Sequence, residues 1–406
     1  MTQKGLLPIV AAHEHELIAL RRLLHAQPEA SGQEHLTTEV IRERLAVEGL
    51  QPVLLQRGTG LVCDISLNPA RDPALGSVRT VVLRADIDAL SMDDGVTAPY
   101  RSQHPGLAHA CGHDVHATAL LGAGLALLEQ SRTEPRAGVV RLVFEPAEEQ
   151  VPGGAVDVIA EGWLRDVESV FGLHCDPKID VGTVGIREGA LTSAADQFEI
   201  SLSGPGGHTA RPELTVDLVR WMGHLCDRLG ATVHEATDGS ALLVFGAATA
   251  GDAPNVIPAT ARLRGSLRTP ERTTWESAER LVRTAIETVL GAGDAGAAPD
   301  WSLRYLRGMP PVINHPATTA LVREAVMGLL GSAAVVPTQR SMGGDSFAWY
   351  ADIVPGTYIR LGTHDPASPH GPRDLHSADF DVDERAIGIG AAVLAACAVR
   401  ALAPAT

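Results

Sequence analysis

The hydrophobic rhythm of this chain changes near Ser193. Before that point come four short apolar runs, Gly60–Ile65, Arg79–Leu83, Val139–Phe144 and Glu168–Leu173. Apolar runs without alternation are strands buried on both faces. Residues 10–24 and 34–47 read as amphipathic helices separated by a break at Pro28 and Gly32, and Ala117–Leu128 as an alanine-rich helix. Strands alternating with helices imply a largely parallel sheet covered on both faces. After Ser193, Phe198–Leu202 and Ala261–Leu267 alternate apolar and polar, as half-exposed strands do. With helices at Thr215–Leu229 and Thr274–Leu290 and strands at Ala241–Ala247 and Trp301–Leu306, the order becomes β-α-β-β-α-β. That is the order of a ferredoxin-like unit, a four-stranded antiparallel sheet with two helices on one face. Gly291–Pro299 reads as a loop inside it. Helices and strands alternate again after Pro310 and end in a helix at Glu384–Ala401. The expected fold class is α/β, a mostly parallel-sheet domain with helices on both faces, formed by 1–192 and 308–406. An α+β ferredoxin-like domain is inserted at 193–307.

Composition narrows the function. A chain of 406 residues, 45% hydrophobic and 20% charged, suits two well-buried domains. A net charge of −16 argues against a nucleic-acid or anionic-membrane partner, since both need a basic surface. No apolar run is long enough to span a bilayer. Met1–Lys4 leads into His13, Glu14, His15 and Glu16, without the apolar stretch of a secretory signal. Five scattered cysteines, Cys63, Cys111, Cys175, Cys226 and Cys397, do not form a disulfide framework, and a reducing cytoplasm is the expected location.

Candidate metal ligands fall at the carboxyl ends of predicted strands, where open α/β sheets bind their ligands. Asp86 and Asp88 follow Val81–Leu83; Glu148 and Glu149 follow Leu142–Phe144; His174 follows Val170–Leu173. Cys111 and His113 stand two residues apart before a helix, in the segment His109–His116, and can face one ion. The helix N-terminus is expected to lower the cysteine pKa toward the thiolate that metals require. Glu148 and Glu149, as chain neighbours, point in different directions. One can bind metal while the other faces the substrate and moves a proton. Taken alone, the pair would read as a solvated acidic loop; its place after a buried strand and Pro146 favours chemistry. His376, in a loop before the last helix, is a further ligand candidate. His364 and His370 read as loop histidines.

These segments resemble the amidohydrolase branch of the M20 metallopeptidases, the family of bacterial hippurate hydrolases and plant auxin-conjugate hydrolases. The matching stretches are Arg84–Leu90, His109–Asp114, Phe144–Glu149, Gly172–His174, Gly206–His208, Asn255–Pro258 and Leu375–Ser377, in order over nearly the whole chain. The resemblance implies a two-metal centre bound by Cys111, His113, Glu149, His174 and His376, with Cys111 bridging. Glu148 would be general base and then acid. Asp86 would orient a metal-binding imidazole. Arg84 would occupy the place where related peptidases have a metal histidine. The inserted domain would be a lid that pairs two chains into a homodimer, and His208, Asn255 and Arg268 would come from it to hold the substrate. His208 would donate to the oxygen that gains charge in the transition state, in some relatives across the dimer. Gly343-Gly344-Asp345-Ser346-Phe347 departs from the family's usual Gly-Gly-Glu-Asp-Phe, and Leu375-His376-Ser377-Ala378 from its Leu-His-Ser-Pro.

The expected reaction is hydrolysis of the amide bond of N-acyl amino acids or similar conjugates. A metallo-dipeptidase or carboxypeptidase of the same superfamily is the nearest alternative, and a non-catalytic metal-binding protein a more distant one. The expected cofactors are two divalent ions. Thiolate with imidazole suits zinc; carboxylate with imidazole also suits manganese, cobalt or nickel.

Overall fold

The computed structural model describes residues 5–68, 78–292, 297–368 and 371–403. His370 and the middle of the Gly291–Pro299 loop therefore lie outside the described residues. The chain begins with α1 (Leu6–Ala26), α2 (His35–Val47), β1 (Val53–Leu54), β2 (Leu61–Ser66) and β3 (Thr80–Asp86). α3 (His113–Thr133), β4 (Val139–Glu145), α4 (Ala155–Ala160), β5 (Val167–Asp180) and β6 (Val184–Ile186) follow. Next come β7 (Ala194–Ser203), β8 (Gly207–His208), α5 (Leu218–Ala236), β9 (Leu242–Ala250), β10 (Val256–Ile257) and β11 (Thr260–Thr269). α6 (Arg272–Glu276), α7 (Ala278–Gly291) and β12 (Asp300–Met309) complete this stretch. The last elements are α8 (Pro316–Leu330), β13 (Val335–Pro337), α9 (Phe347–Ala351), β14 (Gly356–His364) and α10 (Arg385–Ala401). Two compact units result: 1–189, 313–339 and 346–406, and 190–312 with 340–345. The second unit thus takes in Arg340–Asp345, a segment distant in sequence from the insertion.

The sheet of the first unit runs β1-β2-β4-β3-β5-β14-β6-β13. Its centre, β4, β3, β5 and β14, is parallel, whereas β2 pairs antiparallel with β4 and β14 antiparallel with β6. Helices cover both faces. Successive side chains of a strand point to opposite faces. A Cβ on Gly172 would meet Phe347 of α9 at 3.0 Å, while Leu173 reaches Gly390 of α10. α1, α3, α8 and α10 pack together on the α10 side. α3 is buried nearly all round, which explains its small residues: a Cβ on Gly122 would lie 2.7 Å from Leu17, and one on Gly124 2.5 Å from Leu142. Glycine costs an isolated helix about 1 kcal/mol, and close packing offsets that here. Among the described residues, no helix is long and apolar enough to cross a membrane.

The sheet of the second unit runs β9-β11-β7-β12, antiparallel throughout. α5 presents Leu218, Trp221, Leu225, Leu229 and Val233 to it, and α7 presents Val282, Ile286 and Val289, both at helical spacing. The single helix expected over Thr274–Leu290 is broken at Ser277. Trp275 is turned inward there, and its indole N–H donates to buried Asp196 at 3.0 Å.

Candidate metal centre

Strand register brings the first unit's candidates to one rim. Arg84 of β3 lies opposite Val143 of β4 and Gly172 of β5, and Arg360 of β14 lies opposite His174. Asp86, Glu145 and His174 therefore share one level at the carboxyl edge. Gly112 caps α3 with φ 85°. A Cβ there would sit 2.9 Å from Cys175 Sγ, so only glycine turns the chain tightly enough to set Cys111 before the helix and His113 in its first turn. After β4 the chain turns at Ala147, whose φ of 55° is left-handed. That conformation costs a non-glycine residue roughly 1–2 kcal/mol, so the surroundings must hold it.

The structure brings Cys111, His113, Glu149, His174 and His376 together. Cys111 Sγ lies 3.4 Å from His174 Nε2, and Glu149 Oε1 lies 3.4 Å from His376 Nε2 and 4.0 Å from His113 Nε2. Among the described residues four groups have ligand atoms close enough to hold one ion: Cys111 with His113 and His174, Cys111 with Glu149 and His376, His113 with Glu148 and Glu149, and Asp86 with His113 and His116. Cys111 belongs to the first two of these and His113 to three. His113 Nε2 and Glu149 Oε1 are buried and have no hydrogen-bond partner among the described residues. Buried polar atoms are rarely left so, and a cation is what these would accept. His376 is the exposed member, and its own N–H donates to Ala110 O at 2.8 Å.

Burial pushes the Cys111 thiol up, against the pull of His113. The expected lowering by the helix N-terminus is outweighed, because a fully buried thiolate loses its hydration. Burial opposes charge on His113 as well, but Asp86, then Cys111 and Asp88, hold it well above the usual imidazole range. His174 is pushed down, first by burial and then by His116.

Two carboxylates of the rim, Asp86 and Asp88, stand against imidazoles. Asp86 sits on His116 Nδ1 at 2.5 Å and accepts from Arg84 Nη1 at 2.6 Å. Its hydrogen-bonded imidazole is therefore His116, whose Nε2 accepts from the Cys175 N–H at 2.8 Å, while Asp86 Oδ1 also lies 3.8 Å from His113 Nε2. The carboxylate on His113 is Asp88, whose Oδ1 lies 3.2 Å from Nδ1. Asp88 Oδ2 accepts from Ser31 Oγ at 2.6 Å and from the Glu149 N–H at 3.0 Å. Glu148 Oε1 accepts the Ser346 N–H at 3.0 Å. Arg84 is fully buried and also donates to Glu145 and to Ser346 Oγ. Ser31 was not visible as a site residue in the sequence, because it reaches the rim from a distant segment and no local pattern marks it, whereas Ser346 lies in the segment Gly343–Phe347 that departs from the family pattern. His364 pairs with Asp180 at 2.7 Å, away from this cluster.

His208, Asn255 and Arg268 belong to the second unit. His208 on β8 pairs with Val256 of β10, and the Thr209 N–H donates to Asn255 O at 3.3 Å, so His208 and Asn255 are neighbours and both exposed. Arg268 lies opposite Ala195, near the end of the sheet where the chain enters the unit. The strand from Thr260 to Arg268 spans roughly 26 Å at 3.3 Å per residue, so Arg268 sits at the other end from His208 and Asn255. Arg268 is half-buried, and its guanidinium has no hydrogen-bond or ion-pair partner among the described residues. Burial lowers its pKa, and Asp196 counters.

Comparison with known proteins gives the class: this is a metal-dependent amide hydrolase. The chain belongs to Peptidase family M20/M25/M40, whose sequence model matches residues 82–400. It is 36% identical over 378 residues to the N-acetyl-L-cysteine deacetylase of Bacillus subtilis (strain 168), covering 92% of this chain and 85% of that protein. It is 42% identical over 385 residues to a putative glutamate--cysteine ligase 2-3 of Rhodococcus jostii (strain RHA1), covering 94% of this chain but 46% of that protein. The chain thus spans about half the length of that relative. Among solved structures it resembles the YXEP protein of Bacillus subtilis, described as a dinuclear metal-binding peptidase of the M20 family. The TM-score is 0.79 at 29% identity, over 97% of this chain and 99% of that one.

Proposed function

We propose that this chain hydrolyses the amide bond of N-acyl amino acids or similar conjugates, with two divalent ions held by Cys111, His113, Glu149, His174 and His376. The observation that carries the reading is that these five side chains converge from four separate segments, and that the two candidate groups containing Cys111 together use all five. Bound there, the ions would polarise the scissile carbonyl and acidify the attacking water. Glu148 then takes the proton from that water and returns it to the leaving amine. Its hydrogen bond from the Ser346 N–H fixes one oxygen and leaves the carboxylate's orientation defined. Asp88 keeps His113 in the tautomer that turns Nε2 toward the metal. Zinc suits the thiolate and imidazole; manganese, cobalt or nickel suit the carboxylate and imidazoles.

The open fork of Arg268 supports a substrate with a free carboxylate beside the cleaved amide. A small substrate cannot touch Arg268 and His208 of one chain when these lie at opposite ends of the sheet. Because the M20 resemblance implies a homodimer formed through the inserted unit, we assign His208 and Asn255 to the site of a second copy. β9 is an edge strand of that unit's sheet, with Leu242 and Val244 exposed along it, which fits such pairing. The five free cysteines fit a reducing compartment such as the cytoplasm.

The test is turnover of metal-loaded enzyme on a panel of N-acyl amino acids, beginning with N-acetylcysteine, against their methyl esters and against dipeptides. We expect the free acids to be cleaved best. Equal cleavage of acid and ester, unchanged in Arg268→Ala, would remove Arg268 from carboxylate recognition. Preference for dipeptides would move the chain to the dipeptidase reading.

A further inference from the structure

We propose that Glu34 is a positioning residue for the reaction: its buried carboxylate holds the Ala147 peptide in the left-handed turn that aims Glu148 and Glu149 at the rim. The inference rests on the reading of Glu148 as the base. Glu34 is fully buried, just before α2. Its Oε1 accepts the Ala147 N–H at 2.8 Å and the Gly32 N–H at 2.6 Å. Its Oε2 is buried and has no partner among the described residues. A carboxylate held so far from water needs a reason.

Capping α2 is not that reason. Glu34 makes no side-chain bond to the free amides of the helix it precedes. Those of Leu36 and Thr37 go instead to the two oxygens of Glu29, at 2.9 and 2.8 Å. The Glu34 side chain is left to the catalytic turn. Nor do neighbouring contacts make it redundant. A Cβ on Gly60 would lie 2.4 Å from Pro146 Cδ, and one on Gly154 2.0 Å from Pro146 O, so these glycines locate Pro146 by close approach. Neither supplies an acceptor for the Ala147 amide, which without Glu34 would be a buried, unpaired donor beside a strained residue.

The same loop anchors the other side of Glu148. Ser31 Oγ donates to Asp88, Asp88 accepts the Glu149 N–H, and Gln150 Nε2 donates to Ser31 O at 3.0 Å. The peptides on both flanks of Glu148 are thus tied to residues 31–34. The step from Glu34 to Ala147 crosses more than a hundred residues of sequence.

The experiment compares Glu34→Ala, Glu34→Asp and Glu34→Gln with wild type, all metal-loaded, reading kcat, KM, metal content and hydrogen exchange of the peptide spanning 145–150. Aspartate keeps the charge but withdraws the oxygen; glutamine keeps an acceptor at full length. Misplacement of a reacting group by about 1 Å costs on the order of 10²-fold, so kcat should fall by about that factor in Glu34→Ala and Glu34→Asp, with KM moving less than about threefold. The Ala147 amide should exchange faster in both, and Glu34→Gln should recover most of the turnover and protection. If Glu34→Ala does not fold, Glu34→Asp decides. Folded Glu34→Asp with wild-type kcat and wild-type protection overturns the proposal. Glu148→Gln is measured beside them: full turnover there overturns the base assignment itself, whereas an inactive Glu148→Gln with a fully active Glu34→Asp overturns only the role of Glu34.

Discussion

The rim of the first unit and the far end of the second carry their candidate residues under opposite conditions. On the rim, Cys111, His113, Glu148 and His174 are buried, and Asp88 and Ser346 hold His113 and Glu148 by hydrogen bonds. At the far end, His208 is exposed, and its Nδ1 accepts one hydrogen bond, from the Ala210 N–H two residues on. A group that must hold its geometry through every turnover is packed and tied; a group that must meet a substrate or another copy is left at a tip. The difference predicts that substitutions on the rim change chemistry within one chain, while substitutions at the tip can be complemented by another chain.

The largest effect should come from Glu148→Gln. The amide can still accept the Ser346 N–H but takes no proton, so turnover should fall by about 10²–10⁴-fold while metal content and melting temperature stay near wild type. A loss smaller than about tenfold would move the base elsewhere, with Glu149 the first to examine.

His208→Ala should cost somewhat less, about 10²–10³ in kcat, the usual effect of losing one donor to a developing oxyanion. The informative step is mixing. If His208 serves a second copy, as proposed, inactive His208→Ala chains allowed to exchange with inactive Glu148→Gln chains should regain activity, because one site in each mixed dimer would have both groups. Verified exchange without recovered activity would confine His208 to its own chain or remove it from catalysis, and the contrast between the two regions would lose its functional meaning.

Asp88→Asn sharpens the comparison from the rim side. It replaces the carboxylate on His113 and weakens the support of the Glu149 amide. Loss of such an orienting partner typically costs about 10–100-fold in metal affinity. Competition with a metal chelator should show that shift, and Asp86→Asn should instead disturb His116 and Arg84. Equal effects on metal affinity from both substitutions would contradict the division of tasks between the two aspartates.

The same contrast explains what could be read from sequence. Strand ends and short spacings are local, so Cys111, His113, Glu148, Glu149 and His174 could be gathered as candidates before any fold was seen. The alternation of Phe198–Leu202 and Ala261–Leu267 likewise announced a second, half-exposed sheet. Which imidazole Asp86 holds is not local. It depends on how α3 lies over β3, and the structure gives Asp86 to His116 and Asp88 to His113. Glu34 reaches the rim across a long stretch of chain and carries no motif of its own, and Ser346, though within Gly343–Phe347, stands where the family pattern has another residue and so gave no sign of its bond to Glu148. The break at Ser277 was hidden because Trp275 continues the apolar pattern of the helix while its indole is drawn to Asp196. The antiparallel β2 was hidden too, since a buried edge-side strand has the same apolar run as a parallel one.

Five side chains are proposed to hold two divalent ions, with Cys111 in both of the groups assigned to them. Stripping the protein of metal and titrating it with zinc or manganese, while following heat and turnover together, tests this directly. Wild type should take up two equivalents per chain, with turnover appearing only as the sites fill, and Cys111→Ser should weaken both binding events because both groups lose a ligand. Full turnover in protein holding well below one equivalent of metal, or two unaltered sites in Cys111→Ser, would contradict it.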